Sequence, residues 1–306
     1  MALTPPPPRQ PRNPGPEWGY RFLATADAWL PRRVFDLLLG AGTWVAVAIM
    51  PEPRRHSRAY LEVVLGRPAR WRDSWRHFFA FAQSLLARLR AAGARLHQCR
   101  SDASCQPLLQ LMASGRPVLL GTFHFGDSDL LGFLLGDFQR RIHLVRLRVG
   151  NSSDTTRLAE RFGEWIRFIW SNEPAEMLFV LKAAIEAGDC VAMKCDRPDY
   201  SSKLEPFHFL GAQRLFPFTI YHLALIFQQP VGFALGFPVG PGETVVACSS
   251  IFEPGACDRE TGLVRAREHF QSVLHWLEAF LRRHPFLWFN FTPLNPVALP
   301  GTARHG

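Results

Sequence analysis

Several features that would fix a protein's class at once are missing or scarce in this sequence. Its six cysteines, at positions 99, 105, 190, 195, 248 and 257, form no Cys-x-x-Cys pair. That spacing excludes a zinc knuckle and points to reduced thiols instead of a disulfide framework. Lysine is scarce: only three of the 35 basic residues are Lys, and the rest are Arg. There is no Gly-x-Ser-x-Gly elbow to seat a serine nucleophile, and no internal repeat. No strand-like motif for reading RNA or DNA appears in the basic part of the chain. The N-terminus lacks the small-residue cleavage pattern of a secretory signal.

What is present reads as a globular chain. Of 306 residues, 47% are hydrophobic and 20% charged, which suits one large domain or two small ones and excludes a disordered protein. The net charge of +9 is unevenly placed. Residues 1–100 hold 16 Arg against six acidic side chains, while the remainder is close to neutral. Those arginines are mixed with apolar runs, a combination that fits an anionic membrane surface better than nucleic acid.

The chain divides by texture. Residues 1–16, with their run of prolines, are expected to be a disordered tail. Residues 17–104 are expected to be a helical, basic, membrane-associating region. Within it, Val34–Met50 is 17 residues with one charge, flanked by Arg32 and Arg33 on one side and Arg54, Arg55 and Arg58 on the other. At the short limit for a span, it reads either as a membrane-embedded or interfacial anchor or as a core helix. The helix Trp71–Ala92 carries an apolar stripe at three- and four-residue spacing, as core packing requires.

Residues 105–300 alternate short apolar runs with helical periodicity and predict an α/β domain, a mostly parallel sheet flanked by helices. Expected strands are Pro117–Phe123, Ile142–Arg148, Cys190–Cys195, Pro230–Phe237 and Thr244–Ser250. Expected helices are Leu108–Ser114, Ser128–Leu135, Thr155–Ile169, Ala175–Ala187, Thr219–Phe227 and Arg265–Arg283.

The chemistry-bearing stretch is His124-Phe-Gly-Asp-Ser-Asp129, directly after the first of these strands. A histidine there is either a satisfied core residue or a group at the strand-end edge where open α/β sheets keep their sites. The spacing allows Asp129 to return and hydrogen-bond one imidazole nitrogen, holding the tautomer and raising the basicity of the other. No neighbouring Cys or His completes a metal set. Ser128 is expected to cap the following helix. A base without a nucleophile suits activation of a substrate hydroxyl or amine.

His-x4-Asp, taken with LVRLRVGNSSDTTRLAERFG, MLFVLKAAIEAGDCVAMKCDRPDY, FLGAQRLFPFTIYHLALIFQQPVGFALGF and FLWFNFTPLNP in that order, resembles the glycerolipid-type (lysophospholipid) acyltransferase superfamily. The likeness spans roughly residues 17–296 and is greatest to its bacterial lipid A late-acyltransferase branch. Within that branch it resembles the predicted acyltransferases of aryl-polyene-type gene clusters. The resemblance implies transfer of a fatty acyl chain from an acyl carrier protein thioester to a hydroxyl or amine of a lipid or glycolipid, at the cytoplasmic face of a bacterial inner membrane. It implies His124 as the base and Asp129 as its orienting acid, with neither metal nor cofactor and no nucleic-acid partner. Arg148 either falls where the family places a cation near a phosphate or is a surface arginine, and Asp196 and Arg197 either line the site or form a structural ion pair. Phe209–Phe218 reads as a channel wall or as buried core. The competing expectation is a non-catalytic membrane-associated protein that binds lipid or a partner on the same fold.

Overall fold

The structure, a computed structural model, describes residues 17–92, 97–132, 140–146, 163–171, 174–198, 203–240 and 242–295. The proline-rich tail and Arg148 lie outside the described residues.

Four helices come first: α1 (Glu17–Trp29), α2 (Arg32–Ile49), α3 (Pro51–Leu65) and α4 (Trp71–Ala92). Proline sets their starts: Pro31 precedes α2 and Pro51 opens α3, where an unused N–H costs nothing. Gly66 ends α3 in the left-handed region, φ 64°. On α2, Phe35, Leu39, Thr43 and Val47 recur every fourth residue and are buried. Phe35 and Leu39 form a small cluster with Leu86 of α4. Trp75 of α4 donates its indole N–H to the Gly40 carbonyl at 3.1 Å and stacks on Trp44. Among the described residues no single helix is long and apolar enough to cross a membrane. Only α2 and α3 together have the length and composition, and they are bent by 97°.

The α/β part follows as β1 (Gln98–Ser101), α5 (Gln106–Ala113), β2 (Val118–Thr122), β3 (Ile142–Arg146), β4 (Ile166–Trp170), α6 (Pro174–Glu186), β5 (Cys190–Lys194), β6 (Leu204–Phe209), β7 (Ala212–Pro217), α7 (Thr219–Phe227), β8 (Val231–Gly240), β9 (Glu243–Cys248) and α8 (Arg259–Arg283). Seven strands form one sheet in the order β1-β9-β8-β2-β5-β3-β4. The five from β8 to β4 are parallel, β9 is antiparallel to β8, and β1 is parallel to β9. The expected mostly parallel α/β sheet is therefore present. It begins at β1, ahead of residue 105, and β6 and β7 form a separate hairpin.

Side-chain alternation divides the sheet between two cores. Val118 and Leu120 of β2, with Cys190 and Ala192 of β5, face Leu108, Leu111 and Met112 of α5. Leu119 and Phe123, with Val191, Met193 and Cys195, face the larger core under α3, α6, α7 and α8. Gly121 is required by that packing, since a Cβ there would lie 2.2 Å from the Phe233 ring.

Two expected helices need correction. The end of the Thr155–Ile169 segment is strand β4, Ile166–Trp170, because its aromatic and β-branched residues pair in parallel register with β3, Leu144 opposite Phe168. Residues 147–162 lie outside the described residues. In the Ser128–Leu135 segment the described helix is one short 3-10 turn, Ser128–Leu130.

Candidate active site

Parallel pairing places the C-terminal ends of β2, β3 and β5 on one edge of the sheet, with Thr122 opposite Lys194. His124 and Asp196 each follow their strand by two residues and so meet at that edge. The Asp196 carboxylate accepts three hydrogen bonds: from His124 Nδ1 at 2.7 Å, from the His124 backbone N–H at 2.8 Å and from Trp288 Nε1 at 2.7 Å. The expected imidazole partner was Asp129; the carboxylate on Nδ1 is Asp196. Because a carboxylate only accepts, the neutral ring carries its hydrogen on Nδ1 and its proton-accepting lone pair on Nε2.

Asp129 does other work in the same place. Its Oδ2 accepts from Arg88 Nη1 of α4 at 2.6 Å, while its Oδ1 lies 3.1 Å from Lys194 Nζ and 3.7 Å from Arg146 Nη2. These three cations, arriving from α4, β5 and β3, draw the carboxylate away from the role the spacing implied. Burial alone would raise its pKa, but Lys194, Arg88 and Arg146 together hold it well below 3.8.

The turn between His124 and Asp129 is tight, with little freedom. Gly126 has φ 49°, and a Cβ there would stand 2.3 Å from the Gly236 carbonyl of β8. Only glycine permits that approach. Asp127 is buried; its N–H donates to Gly236 O at 2.8 Å, and its Oδ2 accepts from Thr244 Oγ1 at 2.9 Å. Burial raises the Asp127 carboxyl. Ser128 does not cap the 3-10 turn: its hydroxyl donates back to the Phe125 carbonyl.

The segment after α8 closes the site from the other side. The Gly126 N–H donates to Leu287 O and the Phe289 N–H donates to His124 O, both at 2.7 Å, so residues 287–289 run along the histidine turn as a strap. Arg197 donates Nη2 to Phe289 O at 3.1 Å, binding the strap and not an acidic side chain. Trp288 is 1% exposed.

The His124 side chain retains 17% exposure, whereas Asp196 retains 1%. Burial lowers the imidazole pKa to about 4; Arg197 and Lys194 act in the same direction, and Asp196 opposes them. Asp196 would be raised by its own burial, but His124, Arg197 and the Trp288 N–H hold it well below 3.8. At neutral pH the pair is thus a carboxylate and a neutral imidazole, whose Nε2 lone pair can accept a proton but is a weaker base than a solvated imidazole.

Of the residues expected at the site, the structure brings His124, Asp129, Asp196 and Arg197 to one edge, together with Arg88, Arg146, Lys194 and Trp288, which the sequence reading did not single out. Lys194 and Arg146 lie within two residues of the ends of the predicted strands, and that position was the available signal. Phe209–Phe218 includes Phe209, Phe216 and Phe218, all buried in the larger core. No group of His, Cys, Asp and Glu side chains among the described residues could hold a metal ion. Comparison with protein-family models and with curated proteins finds no match for this chain.

Proposed function

We propose that this protein is an acyltransferase that moves an acyl chain from an acyl carrier protein thioester to a hydroxyl or amine of a lipid acceptor. The observation that carries the reading is the 2.7 Å bond from His124 Nδ1 to a buried Asp196, on an imidazole that remains partly open at the strand-end edge. That arrangement supports a general base, and with no Gly-x-Ser-x-Gly elbow in the sequence the reading takes the nucleophile from the substrate.

In the proposed reaction the acceptor O–H or N–H gives its proton to Nε2 as its heteroatom attacks the thioester carbonyl carbon. The new C–O or C–N bond forms, and the carbonyl π electrons move to oxygen. Collapse of this tetrahedral species breaks the C–S bond, and the imidazolium returns its proton to the departing thiolate. Asp196 fixes the ring and stabilises its transient charge. Among the described residues Arg88, Lys194 and Arg146 gather three positive charges around the single Asp129 carboxylate, a set that suits phosphates of the donor arm or the acceptor head group. None of these steps draws on a metal or prosthetic group.

The N-terminal helices support action at a membrane surface, which we assign to the cytoplasmic face of a bacterial inner membrane. While one side of α2 is buried, its other side presents Leu37 at 75% exposure, Ile49 at 71% and Val45 at 57%, with Trp29 at 85% just before it. Exposed apolar area on this scale marks an interaction surface. Arg32, Arg33, Arg55 and Arg58 stand exposed around it, at the level of lipid phosphates. The double variant Leu37→Glu/Ile49→Glu should bind phosphatidylglycerol vesicles at least ~10-fold more weakly in a flotation assay, since burying one such side chain contributes about 1.5–3 kcal/mol. Added salt should weaken wild-type binding, whereas phosphatidylcholine vesicles should bind poorly throughout.

Mass spectrometry of lipids tests the activity. Cells producing the protein should contain a lipid species heavier by one acyl chain than any in cells lacking it. Identical lipid profiles, together with an acyl carrier protein thioester left intact by the purified protein, would overturn the proposal.

A further inference from the structure

A continuous chain of buried polar groups runs from the helical layer to the base. Ser57 of α3 and His77 of α4 are fully buried, and the Ser57 hydroxyl lies 2.9 Å from His77 Nδ1. His77 Nε2 lies 2.7 Å from the Trp288 carbonyl. A carbonyl can only accept, so Nε2 must carry the hydrogen, and Nδ1 accepts from the serine. Burial lowers the His77 pKa to about 4, so the ring is neutral and this tautomer persists at neutral pH. From Trp288 the chain continues through its indole N–H to Asp196 Oδ2, and from Asp196 Oδ1 to His124 Nδ1, at 2.7 Å each.

The packing follows the same route. The Tyr60 hydroxyl donates to Pro285 O at 2.9 Å, and its ring meets Trp288 edge-on at 5.0 Å. His77 stacks on Phe291 at 4.5 Å, while Phe81 packs against Phe289 and Phe291 at 5.4 Å each. Helices α3 and α4 therefore grip the strap on one side, and the strap's backbone grips the histidine turn on the other. Core packing needs neither an imidazole at 77 nor an indole N–H at 288. An apolar residue at 77 would avoid the cost of burying a polar ring, and phenylalanine at 288 would fill most of the same space. What these two polar groups add is direction: His77 fixes the carbonyl of Trp288, and Trp288 fixes the plane of the Asp196 carboxylate.

We propose that Trp288 and His77 are positioning residues for His124, acting through Asp196, so that the seating of α3 and α4 on the strap sets the tautomer and aim of the base. This rests on the reading of His124 as a base, but it can be tested without measuring turnover. Nitrogen-15 NMR of histidine-labelled protein, with His124→Ala identifying the resonance, reports which ring nitrogen holds the hydrogen.

Wild type should show the Nδ1–H tautomer of His124. Trp288→Phe removes one donor while keeping a ring, and it should raise the Nε2–H population at least ~2-fold, because the carboxylate loses the indole bond that restrains it beside Nδ1. His77→Phe, which retains the stacking on Phe291, should shift it the same way by a smaller amount. Tyr60→Phe removes only the hydroxyl bond to Pro285, keeps the edge-on ring contact with Trp288, and should leave the tautomer unchanged. For acyl transfer to a membrane lipid extract, Trp288→Phe should lower kcat about 10-fold or more with KM nearly constant, the pattern of lost alignment without lost binding. A folded Trp288→Phe protein with the wild-type His124 tautomer would overturn the proposal even if its stability had dropped. If instead the tautomer shifts while His124→Ala retains full transfer, the positioning stands and the assignment of the base falls.

Discussion

Asp196→Asn should lower the proposed acyl transfer by about 10²–10⁴-fold with little change in fold. The amide keeps the shape of the carboxylate but loses its charge, and it can offer an N–H where Nδ1 needs an acceptor. The imidazole is then driven to hold its hydrogen on Nε2, the wrong nitrogen for a base. An equivalent exchange in the Ser-His-Asp triad costs about 10⁴-fold for this reason. Here the loss is bounded below by the ~10²-fold typical of general-base catalysis. Stability changes less, because the amide oxygen can still accept from the His124 backbone N–H and from Trp288. Steady-state transfer from an acyl carrier protein thioester, beside a urea melt of the same samples, separates the two effects. Turnover within a few-fold of wild type would show that Asp196 does not govern the ring.

Asp129→Asn should be the most destabilising single change at the site, by about 3 kcal/mol. It leaves Arg88, Lys194 and Arg146 facing one another around a neutral group, each only about a fifth exposed. Removing one member of a buried ionic cluster costs about 3–5 kcal/mol, and the residual exposure places this case at the lower end. The pH dependence has a definite sign. The folded-state pKa of Asp129 is depressed, so its contribution is complete above the ordinary value of 3.8 and is lost as pH falls through the lower folded value. Urea melts of wild type and variant should therefore differ by a constant amount from pH 5 to 7 and converge only below about pH 4. Equal midpoints at pH 7 would mean the cations find other partners without it.

Much of the framework was legible from the chain because its signals are local. Short apolar runs gave β2, β5 and β8, helical periodicity gave α4 and α8, and a histidine just past a strand marked the edge where the site lies. The failures share a physical cause. The imidazole partner depended on which strand ends converge, and that is decided by the parallel register of β2 with β5, between residues 72 positions apart. Asp129 lay within reach of His124 by spacing alone, but spacing could not show that three cations from separate elements would converge on it. Strand β4 was hidden because Ile-Arg-Phe-Ile-Trp can satisfy either periodicity until β3 is beside it. Trp288 looked like one more aromatic in a chain with 25 Phe and nine Trp. Only its indole N–H, aimed at Asp196, distinguishes it.

The most direct test is transfer of a radiolabelled acyl group from its carrier-protein thioester to membrane lipid by wild type and His124→Ala in parallel. The account predicts that the variant folds, binds anionic vesicles like wild type and transfers at least ~10²-fold more slowly at pH 7. A folded His124→Ala protein that transfers at the wild-type rate would contradict it.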